Sequence, residues 1–176
     1  MSRLILLLRG INVGGHKRIS MADLRALLAE RGYEDVKTYL QSGNAVVTSD
    51  RPPAEVEADV SAAIASALGH DVAVVVRTAD QLEEVVRDDP FADVRTDHRF
   101  HQAVFLGDKP DAKAIAALRD TDFSPERLVV APGVLHAWCP DGVNDSPLIK
   151  ALTTVRTTAT ARNWRTVEKL LEMARA

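Results

Sequence analysis

The hydrophobic pattern opens on an unbroken apolar run at residues 4–8, read as a buried strand. A loop punctuated by Gly10, Gly14 and Gly15 follows. Ser20 stands where an N-cap belongs, with Asp23 in the reciprocal place of a capping box. Met21, Leu24, Leu27 and Leu28 then recur at helical spacing, and Gly32 stops the helix. Residues 36–40 and 45–48 read as two strands, joined by the turn Ser42-Gly43-Asn44. Pro52-Pro53 opens a second helix, with Val56, Val60, Ile64 and Leu68 on one face and Gly69 at its end. Residues 72–76 form a fourth strand, completing the order β-α-β-β-α-β.

Thr78 and Gln81 make a capping box for a short connecting helix carrying Leu82, Val85 and Val86. Residues 88–98 are polar and broken by Pro90, which marks a boundary. The pattern then restarts. A strand at 100–106 is followed by Pro110 at or near the first turn of a helix with Ile115 and Leu118. Residues 128–131 and 134–138 flank Pro132-Gly133 as a hairpin. Residues 146–152 predict a short helix and the β-branched residues 155–158 a strand. A last helix follows Asn163, with Trp164, Val167, Leu170, Leu171 and Ala174 on its apolar face. The expected fold is α+β: a tandem duplication of two ferredoxin-like (βαββαβ) units with a C-terminal helix. Residues 1–78 form the first half, 79–98 a connecting helix and linker, and 99–176 the second half. The competing arrangement is a single mixed sheet with helices on both faces.

Composition narrows the class. The 176 residues are 46% apolar and 27% charged, which excludes a disordered tail and a collagen-like fibre. Cys139 is the one cysteine, so there is no internal disulfide, as suits a reducing cytosol. The longest aliphatic runs, 4–8 and 72–76, are far shorter than the roughly 20 residues of a membrane span. The first run is also too short for a signal-peptide core. A cytoplasmic protein with no membrane partner is expected. Net charge is −3, but unevenly placed: residues 1–20 carry +4, residues 150–176 carry +4, and the middle carries −11. Either the ends share one positive face, or they pair with the acidic middle.

Two basic segments carry the candidate chemistry. In the first, Arg9, Gly10, Asn12, Gly14, Gly15 and Lys17 lie in a loop between a buried strand and a helix, with Arg18 next in line. Glycines let backbone N–H groups turn toward a ligand, and a helix N-terminus favours an anion. The spacing is neither a P-loop nor a dinucleotide fingerprint, because His16 precedes Lys17 and no Ser or Thr follows it directly. A tight turn with solvated cations is the equally ordinary reading. In the second segment, Asn163 is a good N-cap, yet Arg162 and Arg165 flank a helix start where the macrodipole disfavours cations. A phosphate or carboxylate would relieve that conflict, and so would a carboxylate of the same chain. Trp164 has the spacing of a core anchor.

The Ser42 and Asn44 side chains are explained by turn chemistry, while remaining available to line a site. Ser42 has no base nearby in sequence and no strand-turn-helix elbow. His98 and His101 are three apart, as are His136 and Cys139, and on a strand that offset puts each pair on opposite faces. No metal-ligand spacing occurs, and no aromatic run suits an RRM platform.

Residues 7–15 (Leu-Leu-Arg-Gly-Ile-Asn-Val-Gly-Gly), 38–44 (Thr-Tyr-Leu-Gln-Ser-Gly-Asn) and 160–167 (Thr-Ala-Arg-Asn-Trp-Arg-Thr-Val) together resemble the bacterial domain-of-unknown-function family numbered 1697. Met21, Asp89-Pro90-Phe91 and Ser146 also fit its pattern, whereas Asp145 and Pro147 are less typical. The resemblance implies two ferredoxin-like units and no established activity. It points to Arg9, Asn12, Ser42, Asn44, Arg162, Asn163 and Trp164 as the family-typical polar and aromatic set.

The function expected first is binding of a phosphate-bearing ligand: a nucleotide, a phosphorylated metabolite or a nucleic-acid backbone. Its expected site is a basic pocket formed by the N-terminal glycine loop and the Thr160–Trp164 segment. An enzyme acting on a phosphorylated or acyl small molecule at the same pocket is the second reading, without an identified general base. A protein-interaction module is the third. No cofactor or metal is expected, and the chain is expected to be a monomer or homodimer, since edge strands can pair.

Overall fold

The apolar run at the start becomes a central strand, β1 (Ser2–Leu8), in a computed structural model that describes residues 1–155 and 157–176. β1 is followed by α1 (Met21–Glu30), β2 (Glu34–Tyr39), β3 (Asn44–Ser49), α2 (Pro53–Leu68), β4 (Val74–Thr78) and α3 (Ala79–Arg87). The second run of elements is β5 (His101–Leu106), α4 (Ala112–Arg119), β6 (Arg127–Ala131), β7 (Val134–Trp138), α5 (Pro147–Leu152), β8 (Ala159–Asn163) and α6 (Trp164–Arg175). The fold is α+β, with two four-stranded antiparallel sheets. Their strand orders are β2-β3-β1-β4 and β6-β7-β5-β8, so each sheet repeats the same arrangement. The single mixed sheet is therefore excluded.

Two compact units result: Met1–Glu84 with Lys169–Ala176, and Val85–Glu168. In the first, Leu4, Leu6 and Leu8 share a core with Leu24 and Leu28 of α1 and Val56, Val60 and Ile64 of α2. Ile5 and Leu7, on the opposite face of β1, are buried too. Burial on both faces explains an apolar run where a half-exposed strand would alternate. The C-terminal turns of α6 are tied into this unit, where Arg175 binds Asp80 at 2.7 Å and also Glu83. In the second unit, Val104, Leu106, Leu135 and Ala137 pack with Leu118, Leu148 and Leu152.

Several predicted boundaries move. The strand expected at 36–40 runs Glu34–Tyr39, with an irregularity between Glu34 and Lys37. Leu40 leaves it for a left-handed turn position, φ 58°. The strand expected at 72–76 runs from Val74, opposite Leu8, to Thr78, opposite Leu4. Phe100 ends a short 3-10 turn ahead of β5. The strand expected at 155–158 lies instead at Ala159–Asn163: tertiary pairing with β5 overrides the β-branched local preference. Arg156 lies outside the described residues. The Thr78–Gln81 capping box forms in both directions, at 3.1 and 3.0 Å. Among the described residues, no helix is long and apolar enough to cross a membrane.

Candidate functional site

The basic loop is held by its least conspicuous polar residue. Asn12 adopts φ 55°, a region that Asn tolerates better than most residues. Its Oδ1 accepts from the Ile19 N–H at 2.9 Å, and its Nδ2 donates to the Ile19 carbonyl at 2.8 Å. The same Nδ2 donates to the Gln41 carbonyl at 2.7 Å, tying the loop to the β2–β3 turn. Buried Ile11 and Ile19 pin its two ends. Between them Gly14, Gly15 and Lys17 also take positive φ, and Gly10 does so ahead of Ile11. Gly43 is a further fixed point: a Cβ there would stand 2.7 Å from the Ile11 side chain. Ser20 caps α1, its Oγ accepting from the Asp23 N–H at 3.0 Å.

This construction leaves an open groove of about 670 Å³, lined by Asn12, Gly15, Arg18, Ile19, Ser20, Asp23 and Gln41. Arg9, Lys17 and Arg18 are exposed, as are Gly10, Gly14 and Gly15. Among the described residues, none of these three cations has a carboxylate within 4.0 Å, although Arg31, Arg51, Arg87, Arg95, Arg99 and Arg175 all do. Lys17 donates only to the backbone carbonyl of Asp71. Ser42 is exposed, whereas Asn44 is fully buried. The Asn44 Nδ2 donates to the Tyr39 carbonyl at 2.8 Å and to Ser42 Oγ at 3.2 Å, so it closes the turn.

In the second unit, Asn163 does what its sequence position predicts: its Oδ1 accepts from the Thr166 N–H at 3.0 Å and from Thr166 Oγ1 at 3.1 Å. Arg165 is exposed and, among the described residues, without an ion pair. Arg162 is buried, donating to Thr160 Oγ1 at 2.6 Å and to the Ala161 carbonyl at 2.8 Å. Burial lowers its pKa to about 10, which leaves it cationic at neutral pH.

Sequence reasoning missed a polar layer around Trp164. Ala103 of β5 is flanked across the sheet by His136 of β7 and Arg162 of β8, which therefore share its face. Two residues along β5, on the same face, His101 Nε2 lies 3.0 Å from His136 Nδ1. The Trp164 ring stacks on His101 at 4.2 Å, with 9° between planes. Arg95 lies over Trp164 and binds Asp89 at 2.5 Å. Asp89 Oδ1 stands 3.7 Å from His101 Nδ1 and accepts from the Phe91 N–H at 2.9 Å. Burial, then the neighbouring His136, pushes His101 down to about 3; burial pushes His136 down to about 4. Both imidazoles are neutral at pH 7. The Trp164 Nε1–H is buried without a hydrogen-bond partner. The missing signal was cross-strand: spacing along one strand says nothing of a neighbour across the sheet, while the β5–β7 register brings His101 beside His136.

No curated protein matches this chain. Among solved structures it is similar to a conserved bacterial protein, SP0830, from Streptococcus pneumoniae, at 25% identity and a TM-score of 0.82 over 98% of each chain. A family described as "Protein of unknown function (DUF1697)" matches residues 1–136. The match takes in the loop, the turn and the Asp89–Phe91 stretch, and the chain belongs to that family.

Proposed function

We propose that this protein binds a phosphate-bearing ligand at the basic loop of its first unit, through Arg9, Lys17 and Arg18. The observation that carries the reading is the missing counter-charge. In a molecule with net charge −3, where Arg31, Arg51, Arg87, Arg95, Arg99 and Arg175 each have a carboxylate within reach, these three cations stand exposed without one on a single tied loop. Cations left together repel one another, and an arriving anion removes that repulsion and gains charge-assisted hydrogen bonds. Gly14 and Gly15 take positive φ beside them, a backbone that can present N–H groups to an anion. Arg165, exposed on α6 of the second unit, is a further cation without an ion pair among the described residues. Nucleotides, phosphorylated metabolites and nucleic-acid backbones all have the required chemistry. The repeated strand order further supports reading the two units as ferredoxin-like halves of a duplication. We place the protein in the cytoplasm, as a monomer or homodimer.

Isothermal titration at low salt against nucleotides, short oligonucleotides and inorganic polyphosphate tests the reading. Heat is expected with at least one of them, with affinity falling as salt rises. Absence of heat with all three overturns it.

A further inference from the structure

Leu40 breaks two rules at once. It holds φ 58°, a conformation unfavourable for a bulky aliphatic residue, in a turn where Gly or Asn would be relaxed. It also leaves its side chain 51% exposed, so packing does not compensate. A strained backbone position whose side chain is only half covered marks a candidate functional position. Val13 is its counterpart, 64% exposed in the basic loop. The Asn12–Gln41 hydrogen bond ties the two segments together, with Val13 immediately after Asn12 and Leu40 immediately before Gln41. Two exposed aliphatic side chains therefore sit one residue either side of a fixed tie, among Arg9, Lys17 and Arg18. Gln41 lines the groove, and its side-chain amide makes no hydrogen bond among the described residues.

We propose that this tip is a docking surface for single-stranded nucleic acid. The proposal rests on the phosphate-binding reading above and names its ligand class. Its physical basis is a match of three chemistries. Unpaired cations meet phosphates, aliphatic side chains cover the apolar faces of unstacked bases, and a free carboxamide meets a base edge. Inorganic phosphate and sugar phosphates leave Val13 and Leu40 uncovered. A duplex keeps its base faces stacked inside, away from both side chains.

The test is fluorescence anisotropy with a labelled, mixed-sequence single strand of about ten nucleotides. The same sequence as a duplex, inorganic polyphosphate, and vesicles containing anionic phospholipid serve as separate arms. Leu40→Gly is the decisive variant, because glycine relaxes the left-handed turn and the protein folds at least as well. The single strand is expected to bind more tightly than the duplex. Leu40→Gly is expected to weaken it by about fivefold, since about half a leucine's apolar surface is no longer covered. Polyphosphate affinity should stay unchanged. Unaltered single-strand affinity in both Leu40→Gly and Val13→Ser overturns the proposal, as does equal binding of the duplex. Vesicle binding that depends on Leu40, without single-strand binding, assigns the tip to a lipid surface and overturns it as well. If polyphosphate binds and the single strand does not, the strand proposal falls while the phosphate reading stands. If no probe binds, both fall.

Discussion

Arg18 and Arg95 show what one residue type becomes in two regions. Arg95 has a side chain 13% exposed, bound to Asp89 at 2.5 Å and laid over the Trp164 ring. Arg18 is exposed on the wall of an open groove, with no carboxylate within reach. In the second unit the groups near His101 find partners in the same unit: Asp89 answers Arg95, and Glu168 meets His98 at 3.1 Å. In the first unit the basic loop is rigid in its backbone and unanswered in its charge. The difference teaches where to look for a ligand. We read a cluster whose carboxylate and guanidinium pair with each other as architecture, however rich in histidine and arginine, and a tied cluster lacking its counter-charge as the proposed site.

The largest break in that comparison comes from Arg95→Ala. It strips the cation from a buried carboxylate, and leaving such a charge unpaired costs about 3–5 kcal/mol. Asp89 also organises the Phe91 backbone, so the loss propagates to a core aromatic. Urea unfolding followed through Trp138 and Trp164, both in the second unit, reads the change directly. A loss below about 1 kcal/mol, the range of exposed ion pairs, means the cluster is solvated and the contrast is lost.

The next test uses pH. The folded-state values of His101 and His136, about 3 and about 4, lie below the unfolded value near 6.5. Between those limits the unfolded chain binds more protons than the folded one, so stability falls on acidification. The pair's contribution is complete above about pH 6.5 and drains away as pH drops toward 4. Each histidine contributes a slope of at most about 1.4 kcal/mol per pH unit. Urea midpoints between about pH 7.5 and 4.5 should be level at the upper end and fall at the lower. Level midpoints throughout contradict a buried neutral pair.

Much of this was legible in the sequence, and the parts that were not share a cause. Local signals gave the helices: Ser20, Gly69, the Thr78–Gln81 box and Asn163 all act where their residue types predict. The basic loop was legible as a loop because glycines and cations announce themselves. Asn12 stands out in that loop, but its role as the tie to Gln41 depends on a partner 29 positions away. The last strand was displaced because β-branching at 155–158 is a local preference, while strand position is set by pairing with β5. The His101–His136 contact was invisible for the same reason: it exists only once β7 is in register. Leu40 looked like a strand residue, and only its backbone angle sets it apart.

The smallest expected effect sharpens the comparison most. Arg18→Ala removes an exposed side chain that makes no ion pair and no hydrogen bond among the described residues, so stability should move by no more than about 0.5 kcal/mol. Binding should respond differently. A charge-assisted hydrogen bond to phosphate contributes about 1.5–3 kcal/mol, so affinity for the best-binding phosphate ligand should drop at least tenfold. The salt dependence should become shallower as well, because one fewer cation displaces counterions. Arg95→Ala is its mirror, with a large loss of stability measured in the absence of any ligand. Should Arg18→Ala instead destabilise the fold by more than about 1 kcal/mol, Arg18 is a structural residue of the loop and the two regions are alike. Unchanged stability together with unchanged affinity removes Arg18 from the site, and the ligand must then be sought at Arg9 and Lys17 of the same loop.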